Sequence, residues 1–203
     1  MKTRKIGLLG GTFNPIHNGH LMLAEHAYSV YGLDEVWIMP SGVSYQKKAD
    51  QVLPAIQRIE MIRLAIQGNP HLQLCEIETA RAGNTYTSDT LEQLHNDMPD
   101  AEFYFILGAD NLYGIEKWKD AERIFMHCSI LAAGRDHIEI DKLTAQAEYL
   151  RQKYQAKITL MQTPNIDLSS EMIRDYIAHG TSVRYLLQDE VIAYIEQHHL
   201  FRG

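Results

Sequence analysis

Short runs rich in β-branched and aromatic residues recur along the chain at 6–9, 36–39, 72–77, 103–107, 130–133 and 158–161. Each is too short for a helix and is bounded by turn-forming residues, so each predicts a strand. Between them the apolar positions fall into helical spacing. After Pro54, for example, Ile56, Ile59, Ile62 and Ile66 line one stripe, and the proline is well placed for a first helical turn. Strands alternating with helices predict right-handed βαβ units and an α/β fold, a doubly wound, mostly parallel sheet of about six strands. Near the end, Val191, Ile192 and Ile195 predict a helix within 189–200 that docks on the body, part of a C-terminal helical region from about residue 170. No internal repeat or low-complexity segment interrupts this pattern, and the Pro/Gly clusters read as loops. Residues 1–203 are therefore expected to form one domain.

In such sheets ligands bind outside the carboxyl ends of the strands, where the strand order reverses. Polar loops follow each predicted strand, at 10–18, 41–50, 79–86, 108–110, 134–136 and 164–170.

Composition narrows the partners. A chain of 203 residues with 45% hydrophobic side chains has enough for one core. Its formal net charge of −7 argues against a nucleic-acid backbone or an anionic membrane as partner, so the positive groups for any anionic substrate must be concentrated locally. Cys75 and Cys128 lie far apart and outside any C-x-x-C pair, as in a reduced cytoplasmic compartment. No apolar stretch reaches the length of a membrane span, and the basic start Met1-Lys2-Thr3-Arg4-Lys5 lacks a signal-peptide cleavage pattern. A soluble, cytoplasmic protein is expected; nothing in the pattern encodes an oligomeric state.

The chemistry concentrates in GLLGGTFNPIHNGHLMLAEHA, residues 7–27. Gly10 and Gly11 after a strand let the backbone approach a ligand closely, Thr12 adds a hydroxyl, and the free N–H groups opening the next helix attract phosphate. The stretch lacks the Lys-Ser/Thr of a Walker loop and the G-x-G-x-x-G spacing, which disfavours a P-loop NTPase or a dinucleotide-dependent dehydrogenase. His17 and His20 stand three apart and, with Asn18 expected as the helix cap, point into one space above the sheet. Loop polarity explains either histidine alone. A zinc pair lacks further ligands at a recognisable spacing. Phosphate recognition uses imidazole N–H groups as donors to charge building on phosphorus.

The run Gly10-Gly11-Thr12-Phe13-Asn14-Pro15-Ile16-His17-Asn18-Gly19-His20 closely resembles the G-G-T-F-x-P-x-H-x-G-H signature of the nucleotidyltransferase superfamily, which shares its histidine motif with class I aminoacyl-tRNA synthetases. Leu168-Ser169-Ser170-Glu171-Met172-Ile173-Arg174 resembles that superfamily's I-S-S-T-x-I-R, with Leu and Glu as departures. Over nearly its whole length the chain is similar to the bacterial nicotinate-nucleotide adenylyltransferases. Gly83 to Thr90 resembles their G-x-S-Y-T-x-D-T, Leu107-Gly108-Ala109-Asp110 with Lys117-Trp118 their I-G-A-D and K-W, and Tyr185 to Val191 their Y-L-I-P-x-x-V, with Gln188 in place of the proline. Two loops depart further. Where the family has P-P-H-K the chain reads Ser44-Tyr45-Gln46-Lys47-Lys48, so Gln46 stands at the histidine, and Gly134-Arg135-Asp136 replaces R-P-G.

The resemblance implies a Rossmann-like nucleotidyltransferase fold and adenylyl transfer from ATP to nicotinate mononucleotide, in NAD biosynthesis. It implies catalytic roles for His17, His20 and Arg174, and ATP contacts from Gly10, Gly11, Thr12, Phe13, Gly108, Asp110, Ser169 and Ser170. Mononucleotide contacts are implied for Lys47, Tyr86, Thr87, Trp118 and Arg135. Mg²⁺ would ride on the ATP phosphates with no protein ligand. The alternatives left open are a nicotinamide-mononucleotide or other small adenylyltransferase, and a nucleotide-binding protein without turnover.

Overall fold

Strands that are apolar on both faces need cover on both faces, which parallel sheets obtain from their crossover helices. The computed structural model describes residues 3–42, 52–134, 140–163 and 167–202. Lys47 and Arg135 lie outside them. In chain order the elements are β1 (Arg4–Gly11), α1 (Asn18–Tyr31), β2 (Glu35–Pro40), α2 (Ala55–Ile66), β3 (Leu72–Leu74), α3 (Thr87–Asp97), β4 (Ala101–Gly108) and α4 (Ala109–Gly114). A 3₁₀ turn at Ile115–Lys117 is followed by α5 (Ala121–His127), β5 (Ser129–Ala133), α6 (Ile140–Tyr154), β6 (Ile158–Met161), α7 (Ser170–Ala178) and α8 (Asp189–Gln197). The six strands are all parallel, in the order β3-β2-β1-β4-β5-β6. The doubly wound sheet is thus present, and its order reverses between β1 and β4.

Strand alternation sends successive side chains to opposite faces. Ile6 and Leu8 of β1, with Phe103, Phe105 and Leu107 of β4, pack under α3, α5 and α6 through Leu91, Phe125 and Leu150. On the other face Leu9 and Ile106 pack with Ala24 and Ala27 of α1, Met61 and Ile62 of α2, Ile173 of α7, and Val191 and Ile195 of α8. The tail docks as its periodicity predicts. At Gly7 a β-carbon would lie 2.8 Å from Leu33 and 2.9 Å from Val36, so glycine lets the α1–β2 connection close on β1.

Two local expectations are corrected. The apolar run 72–77 is a strand only to Leu74. Cys75 still donates to Ile38 at 3.0 Å, but Ala80 N–H then donates to Glu76 O at 2.9 Å, a turn that carries Glu78 inward. Ile56, placed on the buried stripe by spacing, is 67% exposed, because α2 turns Arg58, Ile59, Met61 and Ile62 inward instead. Among the described residues no helix is long and apolar enough to cross a membrane.

Candidate functional site at the β1–β4 switch point

The loop leaving β1 is shaped by close packing against its own aromatic residue. A β-carbon at Gly11 would lie 2.9 Å from the Phe13 ring, and one at Gly10 would lie 3.2 Å from Phe105. Phe13 is 1% exposed: its ring supports Gly11 and meets the His20 ring edge-on at 4.9 Å. Asn14, also buried, accepts through Oδ1 from the Leu53 N–H at 3.2 Å.

The cap of α1 is His17, not Asn18. His17 holds extended backbone and its N–H donates to His20 Nδ1 at 3.3 Å, while the two rings stack 3.6 Å apart with planes 25° from parallel. A β-carbon at Gly19 would approach His17 Nδ1 to 3.1 Å, so the motif glycine makes room for this ring. His17 is 5% exposed, whereas half-buried His20 lines the crevice. Asn18 is drawn off by the far end of the chain. Its N–H donates to Leu186 O at 2.9 Å, its Nδ2 donates to Tyr185 O at 2.7 Å, and its Oδ1 accepts from Gln188 Nε2 at 3.1 Å.

The second motif holds the same loop. Ser169 caps α7, its Oγ accepting from Met172 N–H at 3.1 Å. Ser170 Oγ donates to Pro15 O at 2.8 Å, and Arg174 Nη1 donates to Asn14 O at 2.9 Å. A guanidinium carries five donors, so Arg174 has several beyond the one given to Asn14.

Arg58 is the main residue missed by sequence reasoning. It is 3% exposed and donates to three carbonyls: Nε to Leu53 at 3.0 Å, Nη1 to Thr12 at 2.8 Å and Nη2 to Ser41 at 2.9 Å. Burial lowers its pKa, yet an arginine starts so high that it stays charged. A signal was available: Arg58 lies three and four residues before Met61 and Ile62, on their face of α2.

Above the ends of β1 and β4 a cavity of about 330 Å³ opens, lined on one side by Gly10, Gly11, Thr12 and His20 and on the other by Thr85, Tyr86, Thr87 and Trp118. Trp118 packs edge-on to Phe105 at 6.1 Å, and Lys119 Nζ sits 4.2 Å over the Tyr86 ring. Tyr86 is the cap of α3, so the open N–H groups of that helix begin at the cavity wall. Glu78, Ser41 and Lys119 also line it and were not singled out from sequence. Gly108, Asp110, Ser169, Ser170 and Arg174 stand outside this lining. Gly108 caps α4, and Asp110 is exposed in its first turn. Among the described residues no three His, Cys, Asp or Glu side chains group to hold a metal ion.

The family model described as cytidylyltransferase-like matches residues 8–176. A relative from Lachnoclostridium phytofermentans named "Probable nicotinate-nucleotide adenylyltransferase" is 44% identical over 195 residues, 96% of this chain and 98% of the relative. The chain belongs to the nicotinate-nucleotide adenylyltransferase family. A Roseiflexus relative of the same name is 39% identical over 202 residues and covers 100% of both chains. Among solved structures, the Plasmodium falciparum nicotinic acid mononucleotide adenylyltransferase complexed with NaAD superposes with a TM-score of 0.81 at 20% identity, covering 98% of this chain and 97% of that one. The same protein complexed with APC gives 0.79. At that identity the likeness shows the Rossmann-like fold. Family membership makes the chain a nucleotidyltransferase.

Proposed function

We propose that the chain transfers the adenylyl group of ATP to nicotinate mononucleotide, forming nicotinate adenine dinucleotide and pyrophosphate in NAD biosynthesis. One observation carries this beyond family membership: a single cavity joins the Gly10-Gly11-Thr12 loop and His20 to a wall made of Tyr86, Trp118 and the start of α3. The first part suits phosphate and the second a flat ring.

The acceptor 5′-phosphate is already ionised at neutral pH. Its oxygen forms a bond to the α-phosphorus as the bond to the bridging oxygen breaks, and pyrophosphate leaves with that electron pair. No covalent enzyme intermediate is needed, so the protein aligns two polyanions and stabilises charge on the pentacoordinate phosphorus. Gly10, Gly11 and Thr12 offer backbone and hydroxyl donors. His17 and His20 hold the α- and β-phosphate oxygens, His20 from the cavity wall. Ser169, Ser170 and Arg174 clamp the triphosphate, and Asp110 with Gly108 meets the ribose at the mouth of the crevice. Trp118 and Tyr86 flank the acceptor ring, and the N–H groups at Thr87 face its carboxylate. Lys47 and Arg135 complete the grip on the mononucleotide.

Mg²⁺ carried on the ATP phosphates would supply charge neutralisation there, with no protein ligand assigned to it. The chain acts as one domain in this reading, supported by α7 and residues 185–188 holding the loop after β1. A cytoplasmic location is supported by the free thiols of Cys75 and Cys128.

The test is pyrophosphate release from ATP and Mg²⁺ with nicotinate mononucleotide, nicotinamide mononucleotide, phosphopantetheine and flavin mononucleotide as acceptors. Release with the first above all others is expected. A faster rate with another acceptor overturns the substrate assignment, and no release with any of them overturns the enzyme reading.

A further inference from the structure

A carboxylate withdrawn from water is costly unless several donors converge on it. Among the described residues Glu78 is the only buried acidic side chain, at 6% exposure. Thr85 Oγ1 donates to Glu78 Oε2 at 3.2 Å, Thr90 Oγ1 donates to Oε1 at 3.1 Å, and the Gly42 N–H donates to the same carboxylate. Burial raises the pKa of Glu78, opposed by these donors and by the nearby charge of Arg81. Arg81 in turn donates to Thr90 Oγ1 at 3.3 Å and to Gln93 at 2.5 Å.

The donors come from separate places in the chain. Gly42 follows β2, Thr85 precedes α3 and Thr90 lies in the first turn of α3, while Glu78 itself lines the cavity beside Ser41, Thr85 and Thr87. The joint has no slack, since a β-carbon at Gly42 would stand 2.5 Å from the Glu78 carbonyl oxygen and 2.8 Å from Thr85 Cγ2.

We propose that Glu78 is a positioning residue of the acceptor pocket: its carboxylate ties the segment after β2 to the first turn of α3 and so fixes where the α3 N–H groups meet the acceptor. This rests on the reading that the cavity takes nicotinate mononucleotide. Glu78 needs no contact with substrate for this role. Its loss lets the wall carrying Thr85, Tyr86 and Thr87 shift relative to the Gly10–Thr12 side, whose own ties run through Arg58, Ser170 and Arg174. The effect therefore falls on the acceptor and spares ATP.

The experiment is steady-state kinetics of wild type, Glu78→Gln, Glu78→Ala, Thr85→Val and the variant carrying both Glu78→Ala and Thr85→Val, varying each substrate in turn, with thermal unfolding as a check on folding. Glu78→Ala is expected to raise the KM for nicotinate mononucleotide about tenfold or more, with the KM for ATP within about twofold of wild type. Glu78→Gln, which offers one acceptor oxygen where the carboxylate offers two, should fall between. Thr85→Val should add little on the Glu78→Ala background, because both remove the same tie. A folded Glu78→Gln with unchanged acceptor KM, or with both constants raised equally, overturns the proposal. Should Glu78→Ala not fold, Glu78→Gln and Thr85→Val decide it on the same terms. A wild type that ignores nicotinate mononucleotide overturns the proposed function instead, a result separate from the behaviour of the variants.

Discussion

Arg58 Nη1 donates to the Thr12 carbonyl at 2.8 Å across 46 residues of sequence, which makes a buried cation the tie beneath the phosphate-facing loop. The planar fork reaches the Thr12, Ser41 and Leu53 carbonyls together, which one ammonium on a flexible stem does not reproduce. Arg58→Lys should destabilise the fold by about 2–4 kcal/mol, since each buried carbonyl left without a donor costs about 1–3 kcal/mol. Urea unfolding measures this. Stability within about 0.5 kcal/mol of wild type would show that the three bonds are replaceable.

The stacked histidines predict a separable loss of rate. His17→Ala and His20→Ala should each lower kcat by about two or more orders of magnitude, as when a transition-state donor is removed. Circular dichroism should remain native, because the α1 helix is also held through Asn18 to Tyr185 and Leu186. Near-full activity in both variants would end the phosphate assignment.

Acid and amide rings share a shape, so selection between them has to come from the substituent. N–H groups at the start of α3 all donate to a carboxylate and add the positive end of the helix dipole, whereas an amide turns its own NH₂ toward some of them. Two lost partners at about 1–3 kcal/mol each give nicotinate mononucleotide a preference of about a hundredfold or more in kcat/KM. Trp118→Ala should impair both rings alike. Equal specificity constants for the two acceptors would take α3 out of the recognition.

Cys128 is buried, its thiol donating to Ile124 O at 3.2 Å, and burial pushes its pKa up to about 12. Burial raises Cys75 as well. Native protein at pH 8 should therefore resist alkylation, while the unfolded chain reacts at both thiols. Above the ordinary value of 9.0 the unfolded chain loses the Cys128 proton and the folded one keeps it, so this contribution is fully present below about pH 9 and declines as pH rises toward 12. Rapid labelling of folded protein would contradict the enclosure.

The sheet was readable because six apolar runs with turn-forming flanks report themselves locally, and the glycine and histidine motif because its spacing is long. What escaped depends on distant partners. Asn18 looks like a helix cap until residues 185–188 arrive to bind it. Arg58 and Glu78 carry charge that sequence pattern assigns to water, and only the folded chain surrounds them with carbonyls in one case and hydroxyls in the other. Strand β3 ends early for the same reason, its apolar continuation giving way to the inward turn of Glu78.

The histidine motif lies within the first twenty residues, yet its loop and helix are fastened by Ser170, Arg174, Tyr185, Leu186 and Gln188. On a ribosome the motif emerges well before these residues, with Arg58 the earlier tie to its loop. A chain cut before Ser170 would therefore display the signature while lacking the ties from α7 and from residues 185–188 that hold its loop and helix in place.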